Sequence, residues 1–284
     1  MPTTLLLEDR ARILERLPSF FANHILSEQM DRFECHRDVN LISFDWYLVK
    51  RPLAEPSRVV IYFDAKDLVF LFESAEAQTA AAALMREPPE TAPSGAEYGS
   101  AYALHRFFYE LIKFDTESLE ELEEEIIAAE DGIMTSPRRQ VSSALVRFRR
   151  TLFVLKRYYE QLNTIFEGLV ENENRLIPDD SLRHFIILDG RIDRLYENVR
   201  SLRDYVSQVR EAYQAQIDIE QNSLMKTFTV ITAIFLPLTL LVGWYGMNLQ
   251  MPEFAWAHGY AFVIALSVAI VVLSIALFKK RKWL

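Results

Sequence analysis

The sequence predicts an α+β domain, followed by a long stalk helix and a two-helix transmembrane hairpin. Three observations carry this. Strand-like stretches rich in β-branched and aromatic residues, punctuated by turn residues, lie between Val39 and Phe72. From Ser181 to Tyr245 the only proline is Pro237. Nearly all long apolar runs lie after Met225, in two stretches of the length a bilayer requires.

The 284 residues leave room for one sizeable soluble core plus a membrane part. Hydrophobic residues make up 50% and charged residues 25%, values that average over a segregated chain. A net charge of −9 argues against nucleic acid as a main partner and is compatible with attraction of cations. Cys35 is the only cysteine, so no disulfide framework or Cys-rich metal cluster is expected; it reads as a small, partly buried side chain. The first residues, MPTTLLLEDRARILERL, lack a basic region leading into a long apolar stretch, so no secretory signal is expected.

Residues up to about 35 read as helical or mixed. Val39 to Val49 reads as a strand, and Arg58–Phe63 and Leu68–Phe72 flank Asp64-Ala65-Lys66-Asp67 as a hairpin. Pro52 and Pro56 separate the two, and Glu87 to Gly99 is a loop. Ala101 to about Met134 keeps a helical period through Leu104, Phe107, Phe108, Leu111, Ile112, Leu119, Leu122 and Ile126. Its glutamates, from Glu117 to Glu130, form either a solvated face or an electronegative surface that attracts divalent cations. After Ser136-Pro137 a basic helix is expected, partly neutralising its acidic neighbour. A third helix, capped at Asp179 or Asp180, runs from Ser181 to Tyr245. If unbroken, about 65 residues at roughly 1.5 Å each give about 100 Å, so its first part must be a stalk in water.

Thr227 to Tyr245 and about Tyr260 to Phe278 are the two spans, joined by a loop without Lys or Arg. The tail Lys279-Lys280-Arg281-Lys282 is basic, which places both termini in the cytoplasm and the loop outside. Trp244, Tyr245, Trp256, Tyr260 and Trp283 sit at span ends, as lipid-interface anchors do. The resulting division is 1–99 cytoplasmic α/β domain, 100–225 helical region and stalk, 226–246 first span, 247–258 loop, 259–278 second span and 279–284 tail.

A narrow stripe runs along the first span. Asn222, Thr229, Leu236 and Gly243 recur every seven residues, with Met225, Thr232 and Thr239 between them. Each threonine can bond back to its own helix and simply permit close packing. Together on one seam they favour a pore lining or a tight interface between copies. Pro237 frees the carbonyl of Ala233 and allows a bend. Two spans cannot enclose an aqueous path, so a pore requires several chains.

Ile234-Phe235-Leu236-Pro237-Leu238-Thr239, the closing Tyr245-Gly246-Met247-Asn248, Met251-Pro252-Glu253 and Asn222-Ser223-Leu224-Met225-Lys226 resemble the CorA family of divalent-cation channels. So does the Lys-Trp-Leu end after a basic run. The resemblance is close from about Ile192 onward and architectural before it. It implies a funnel-shaped homopentamer with the first membrane helix lining the pore. Gly246, Met247 and Asn248 would form the outer selectivity ring, and Asn222 the inner polar ring. Thr239 would line the upper pore, Met225 and Leu236 would be apolar constrictions, and Tyr245 and Pro237 belong to the signature. Phe228 stands where an aliphatic residue is more usual. The loop is one residue short between Asn248 and Met251, with Phe254 for a common leucine. Acidic residues that bind regulatory Mg2+ between subunits are a family property, for which Glu211 and Asp218 are the candidates.

Mg2+ prefers octahedral oxygen coordination and gives up water reluctantly. A ring of Asn248 amides, with Gly246 carbonyls nearby, can accept hydrogen bonds from its water shell without binding too tightly. Glu253 could concentrate cations outside. The expectation is therefore uptake of Mg2+, and also Co2+ and Ni2+, with no bound cofactor, lipid and further copies of the chain as partners, and no enzymatic centre. Two alternatives stand beside it. One is a zinc transporter of the same family, disfavoured because His24, His36, His105, His184 and His258 are scattered and read as ordinary polar residues. The other is a membrane-anchored stalk or signalling protein that carries no ion.

Overall fold

The computed structural model describes residues 2–27, 30–86, 99–133, 138–248 and 256–281. They form two units, Met1–Arg210 and Glu211–Leu284.

In the first unit, β1 (Thr3–Leu6), α1 (Arg10–Arg16), α2 (Ser19–Leu26) and β2 (Phe33–Cys35) precede β3 (Val39–Trp46), β4 (Ser57–Asp64) and β5 (Leu68–Phe72). The sheet order is β1-β5-β4-β3-β2, with β1 parallel to β5 and the other pairs antiparallel. The region expected to be helical or mixed thus contributes both edge strands. They are too short for a two-residue period to stand out. β3 stops at Trp46, short of the expected Val49. The hairpin is as expected: the Asp64 carboxylate accepts from the amides of Lys66 and Asp67 at 2.7 and 2.6 Å, an Asx-type turn.

Both faces of the sheet are covered, which is why Val59 to Phe63 is one apolar run rather than an alternation. On one face Leu5, Leu41, Val60, Tyr62, Val69 and Leu71 pack with Ile13, Leu17, Ala22 and Ile25 from α1 and α2. The other face meets α3 (Ala75–Arg86), which periodicity had not singled out, and α4 (Ser100–Leu111). A chain of aromatic rings continues outward: Phe44 to Phe108 at 5.9 Å, Phe108 to Phe166 at 5.0 Å and Phe166 to Phe185 at 6.3 Å. Cys35 is exposed rather than partly buried, because β2 is an edge strand.

The single helix expected from Ala101 to Met134 is two, α4 and α5 (Asp115–Asp131), with a break at Ile112 to Phe114. Arg191 donates to the freed Lys113 carbonyl at 2.8 Å, which stabilises that break. Residues 87–98, the bulk of the expected loop, and 134–137 lie outside the described residues. The acidic and basic helices do pair, through Arg147 and Glu125 at 3.0 Å.

α6 (Arg138–Glu171) buries Val141, Leu145, Phe148, Leu152, Leu155, Tyr159, Leu162, Phe166 and Leu169, alternating steps of four and three. α7 (Asp179–Tyr245) buries Phe185, Leu188, Ile192, Leu195, Val199, Leu202, Val206 and Val209 on the same alternation. This is the seam of two helices packed along their length. Asn163 donates to Asp193 at 3.0 Å, and Tyr196 to Glu160 at 3.4 Å, so position rises on one helix as it falls on the other. α6 and α7 are antiparallel. Asp179 and Asp180 lie in the first turn of α7 rather than before it, where their charges still suit the helix dipole.

The second unit holds the end of α7 and α8 (Gly259–Lys280). Both helices are long and apolar enough to cross a membrane.

Candidate ion pathway

Burial divides α7 within the second unit into two faces. Val230 is 6% exposed, and Ala233, Ile234, Pro237, Leu238, Leu241 and Tyr245 are half-buried. Counted from Val230 those positions are +3, +4, +7, +8, +11 and +15, so they form one stripe. On α8 the half-buried positions are Gly259, Val263, Ser267, Ile270, Val271, Ser274 and Phe278, again one stripe.

The seam singled out in the sequence lies on the opposite side of α7. Asn222, Met225, Phe228, Thr229, Thr232, Leu236, Thr239 and Gly243 are all exposed. At about 100° per residue, their mean direction is roughly half a turn from that of the buried stripe. Phe228 is 64% and Leu236 68% exposed, large apolar side chains that nothing in one chain covers among the described residues. Each threonine hydroxyl donates to the carbonyl four residues earlier: Thr229 to Met225, Thr232 to Phe228 and Thr239 to Phe235, all at 2.8 Å.

α7 closes at Tyr245. The Gly246 amide donates to the Val242 carbonyl at 2.8 Å and the Met247 amide to Trp244 at 3.3 Å. A Cβ on residue 246 would stand 2.9 Å from the Val242 oxygen, so the close approach that ends the helix requires glycine. Met247 and Asn248 follow, both exposed. Glu253 lies outside the described residues. At the other end of the seam Glu211 and Asp218 are exposed, and the Gln214 amide donates to Asp218 at 3.0 Å. Lys279 and Lys280 occupy the last turn of α8, where cations suit the helix dipole.

The histidines are less scattered than the sequence suggested. His24 and His36 both reach Glu34, at 2.9 and 3.4 Å. Burial opposes ionisation of Glu34, but bonds from the Asp31 amide, His24 and His36 outweigh it and hold the carboxyl below its usual range. His105 and His184 lie with ring centroids 5.5 Å apart. Among the described residues no group of three or more His, Cys, Asp or Glu is placed to share a metal ion. The glutamates of α5 are in part engaged: Glu121 faces Lys50 at 3.8 Å, and Glu130 accepts from Tyr205. The buried Asp115 of α5, bonded by Tyr159 of α6 and near Arg191 of α7, had no signal in the sequence, because the three come from different helices.

Residues 47–280 match the family model described as CorA-like Mg2+ transporter protein. A cobalt/magnesium transport protein CorA of Thermotoga maritima is 30% identical over 167 residues, covering 58% of this chain and 48% of that protein. A magnesium transport protein CorA of Haemophilus ducreyi is 30% identical over 167 residues, covering 51% and 53%. The chain thus spans about half the length of the curated relatives it matches. The complete structure of the CorA magnesium transporter from Methanocaldococcus jannaschii superposes with a TM-score of 0.80 at 20% identity, covering 98% of this chain and 87% of that one. It shares the order of soluble α/β unit, long helix and C-terminal apolar helix, which is a likeness of fold. A family match running from the sheet to the last turn of α8, over a helix that ends in Tyr-Gly-Met-Asn, makes the chain a member of the CorA family.

Proposed function

We propose that the chain carries hydrated Mg2+, and also Co2+ and Ni2+, across the membrane, as an oligomer whose α7 seams face a common axis. One observation carries this reading. A membrane-length helix buries one stripe within its own chain and leaves the opposite stripe, with its hydroxyls and large apolar side chains, open. Lipid would accept Phe228 and Leu236 but gives no reason for asparagine, three threonines and glycine on the same line. Further copies of the chain give one, and the family's fold supports five of them.

In this reading Gly246, Met247 and Asn248 form the outer ring. Neutral amides accept hydrogen bonds from the ion's water and release it again, where carboxylates would bind too tightly. Asn222 is the inner polar ring. Met225, Phe228 and Leu236 are apolar levels that close the passage by excluding water, and Gly243 gives it width below the outer ring. Glu253 concentrates cations outside, and Glu211 and Asp218 sense Mg2+ inside. The basic end of α8 stays with the soluble unit in the cytoplasm. The membrane potential drives inward flux, at roughly 2.3 kcal/mol per charge per 100 mV, so no coupled reaction is needed.

Flux into liposomes containing the purified chain tests this, with Mg2+, Co2+ and Zn2+ run in parallel against Asn248→Ala. The expected result is Mg2+ and Co2+ entry that Asn248→Ala lowers at least tenfold. A wild type that carries none of the three ions would reject transport. Zn2+ entry well above Mg2+ would assign the chain to zinc instead.

A further inference from the structure

We propose that Thr232 is a hydration step within the apolar part of the pathway, an acceptor that holds the water shell of a passing cation midway between Phe228 and Leu236. This rests on the transport reading above and gives one residue of the lining a specific task.

Position is the first argument. Thr232 stands four residues from Phe228 and four from Leu236 on the exposed face of α7. Each step is about one helical turn, or about 6 Å of rise. Without a polar group between them, Phe228 and Leu236 would bound an apolar stretch of about 12 Å. An ion that does not give up its water cannot rest in such a stretch, and a narrow apolar passage of that length sheds water. Thr232 divides it into two shorter segments. Thr229 stands at the level of Phe228 and about 100° round the helix from it, and Thr239 lies beyond Leu236. Neither interrupts the stretch.

Polarity is the second argument. A hydroxyl has one hydrogen, and that of Thr232 is committed to the Phe228 carbonyl at 2.8 Å. What remains toward the open face are the lone pairs of Oγ1. Water around a cation points its hydrogens outward, so its shell needs acceptors. Water around an anion presents oxygens outward and needs donors. A ring of such hydroxyls therefore suits the shell of a cation better than that of an anion.

Proteoliposome flux of Mg2+ through Thr232→Val, Thr232→Ser and Thr232→Asn tests the role. Valine keeps the shape without the oxygen, and serine keeps the hydroxyl. Asparagine supplies an acceptor of different reach, one not built to repeat the hydroxyl's bond to its own helix. The expected result is at least a fivefold loss of Mg2+ flux in Thr232→Val, with Thr232→Ser recovering to within about twofold of wild type and Thr232→Asn recovering in part. Assembly and thermal midpoint should be those of wild type in all three. Thr232→Val flux within twofold of wild type overturns the proposal while leaving the transport reading intact. So does recovery by serine with none by asparagine, which would make the bond to Phe228 a matter of helix shape. A Thr232→Val chain that fails to assemble makes the residue structural and also overturns it. A wild type that carries no ion sinks the transport reading and this inference together.

Discussion

Tyr159 donates its hydroxyl to the carboxylate of Asp115 at 3.0 Å, inside the first unit, where Asp115 is only 6% exposed. Asp115 is the first residue of α5, Tyr159 lies on α6, and Arg191 of α7 stands close enough to favour the ionised form. Three helices therefore meet on one carboxylate. Burial wins over both partners and pushes Asp115 up to about 6.

A carboxyl whose folded pKa lies above its unfolded value of 3.8 holds its proton more tightly when folded. Its contribution to stability is fully present below the unfolded value and is lost as pH rises through about 6. The two values differ by an amount equivalent to about 3 kcal/mol at neutral pH. Asp115→Asn keeps an acceptor for Tyr159 and removes the charge. It should raise the thermal midpoint of the full chain in detergent at pH 7.5 by about 3–6 °C, with the gain fading toward pH 4. His105 titrates with the opposite sign. Burial and the neighbouring His184 hold it down at about 4, so the stability it supplies above pH 6.5 is lost as pH falls from there through about 4. The comparison is therefore variant against wild type at each pH. A variant less stable than wild type at pH 7.5, with a deficit that shrinks only below about pH 4, would mean that pairing with Arg191 outweighs burial.

Gly168 of α6 has no room for a side chain. A Cβ there would lie 2.2 Å from the Phe33 ring of β2. Alanine is the better helix former by about 1 kcal/mol, yet the clash should cost about 1–3 kcal/mol net. Gly168→Ala is expected to lower the thermal midpoint, and Phe33→Ala on top of it should recover part of the loss. A double variant that simply sums the two single losses would place the strain elsewhere.

Glu211 lies on the line of the seam, seven residues before Asp218. If it senses internal Mg2+, Glu211→Gln should shift inhibition by Mg2+ inside the vesicles to about threefold or more higher concentration, without changing flux at low internal Mg2+. An unmoved inhibition curve would return Glu211 to an ordinary solvated carboxylate of the stalk.

The parts of this molecule that sequence reasoning reached are those with strong local signals. The β4–β5 hairpin showed as two apolar runs about a turn, α6 as a basic stretch after Ser136-Pro137, α7 as a sustained helical period and α8 as an apolar run of membrane length, and the seam on α7 showed itself as recurring sevens. β1 and β2 gave no such signal, since strands of four and three residues are made by pairing with β5 and β3. The break between α4 and α5 was invisible because apolar spacing runs straight through Ile112, while the bond that stabilises the break comes from Arg191. His24, Glu34 and His36 were legible as residues but not as a group, since the fold of β2 against α2 brings them together. The open face of α7 was legible as a pattern, yet its direction away from the buried stripe required coordinates.

The turn between the two longest helices behaves as part of the interior. Asn172 and Arg175 adopt left-handed backbone, with φ of 48° and 56°. The Asn172 amide donates to the Ile177 carbonyl at 2.8 Å, and the Ile177 amide donates back to the Asn172 side-chain oxygen at 3.1 Å. Asn174 donates to the His36 carbonyl at 2.8 Å and to the buried Asn40 at 2.6 Å. A connection between helices is ordinarily where a chain accepts a graft, a tag or new termini. Here an insertion would leave the buried Asn40 side chain without its Asn174 donor and break the Asn172–Ile177 clasp at the root of α7, so the connection that topology most invites to be cut should tolerate a cut poorly.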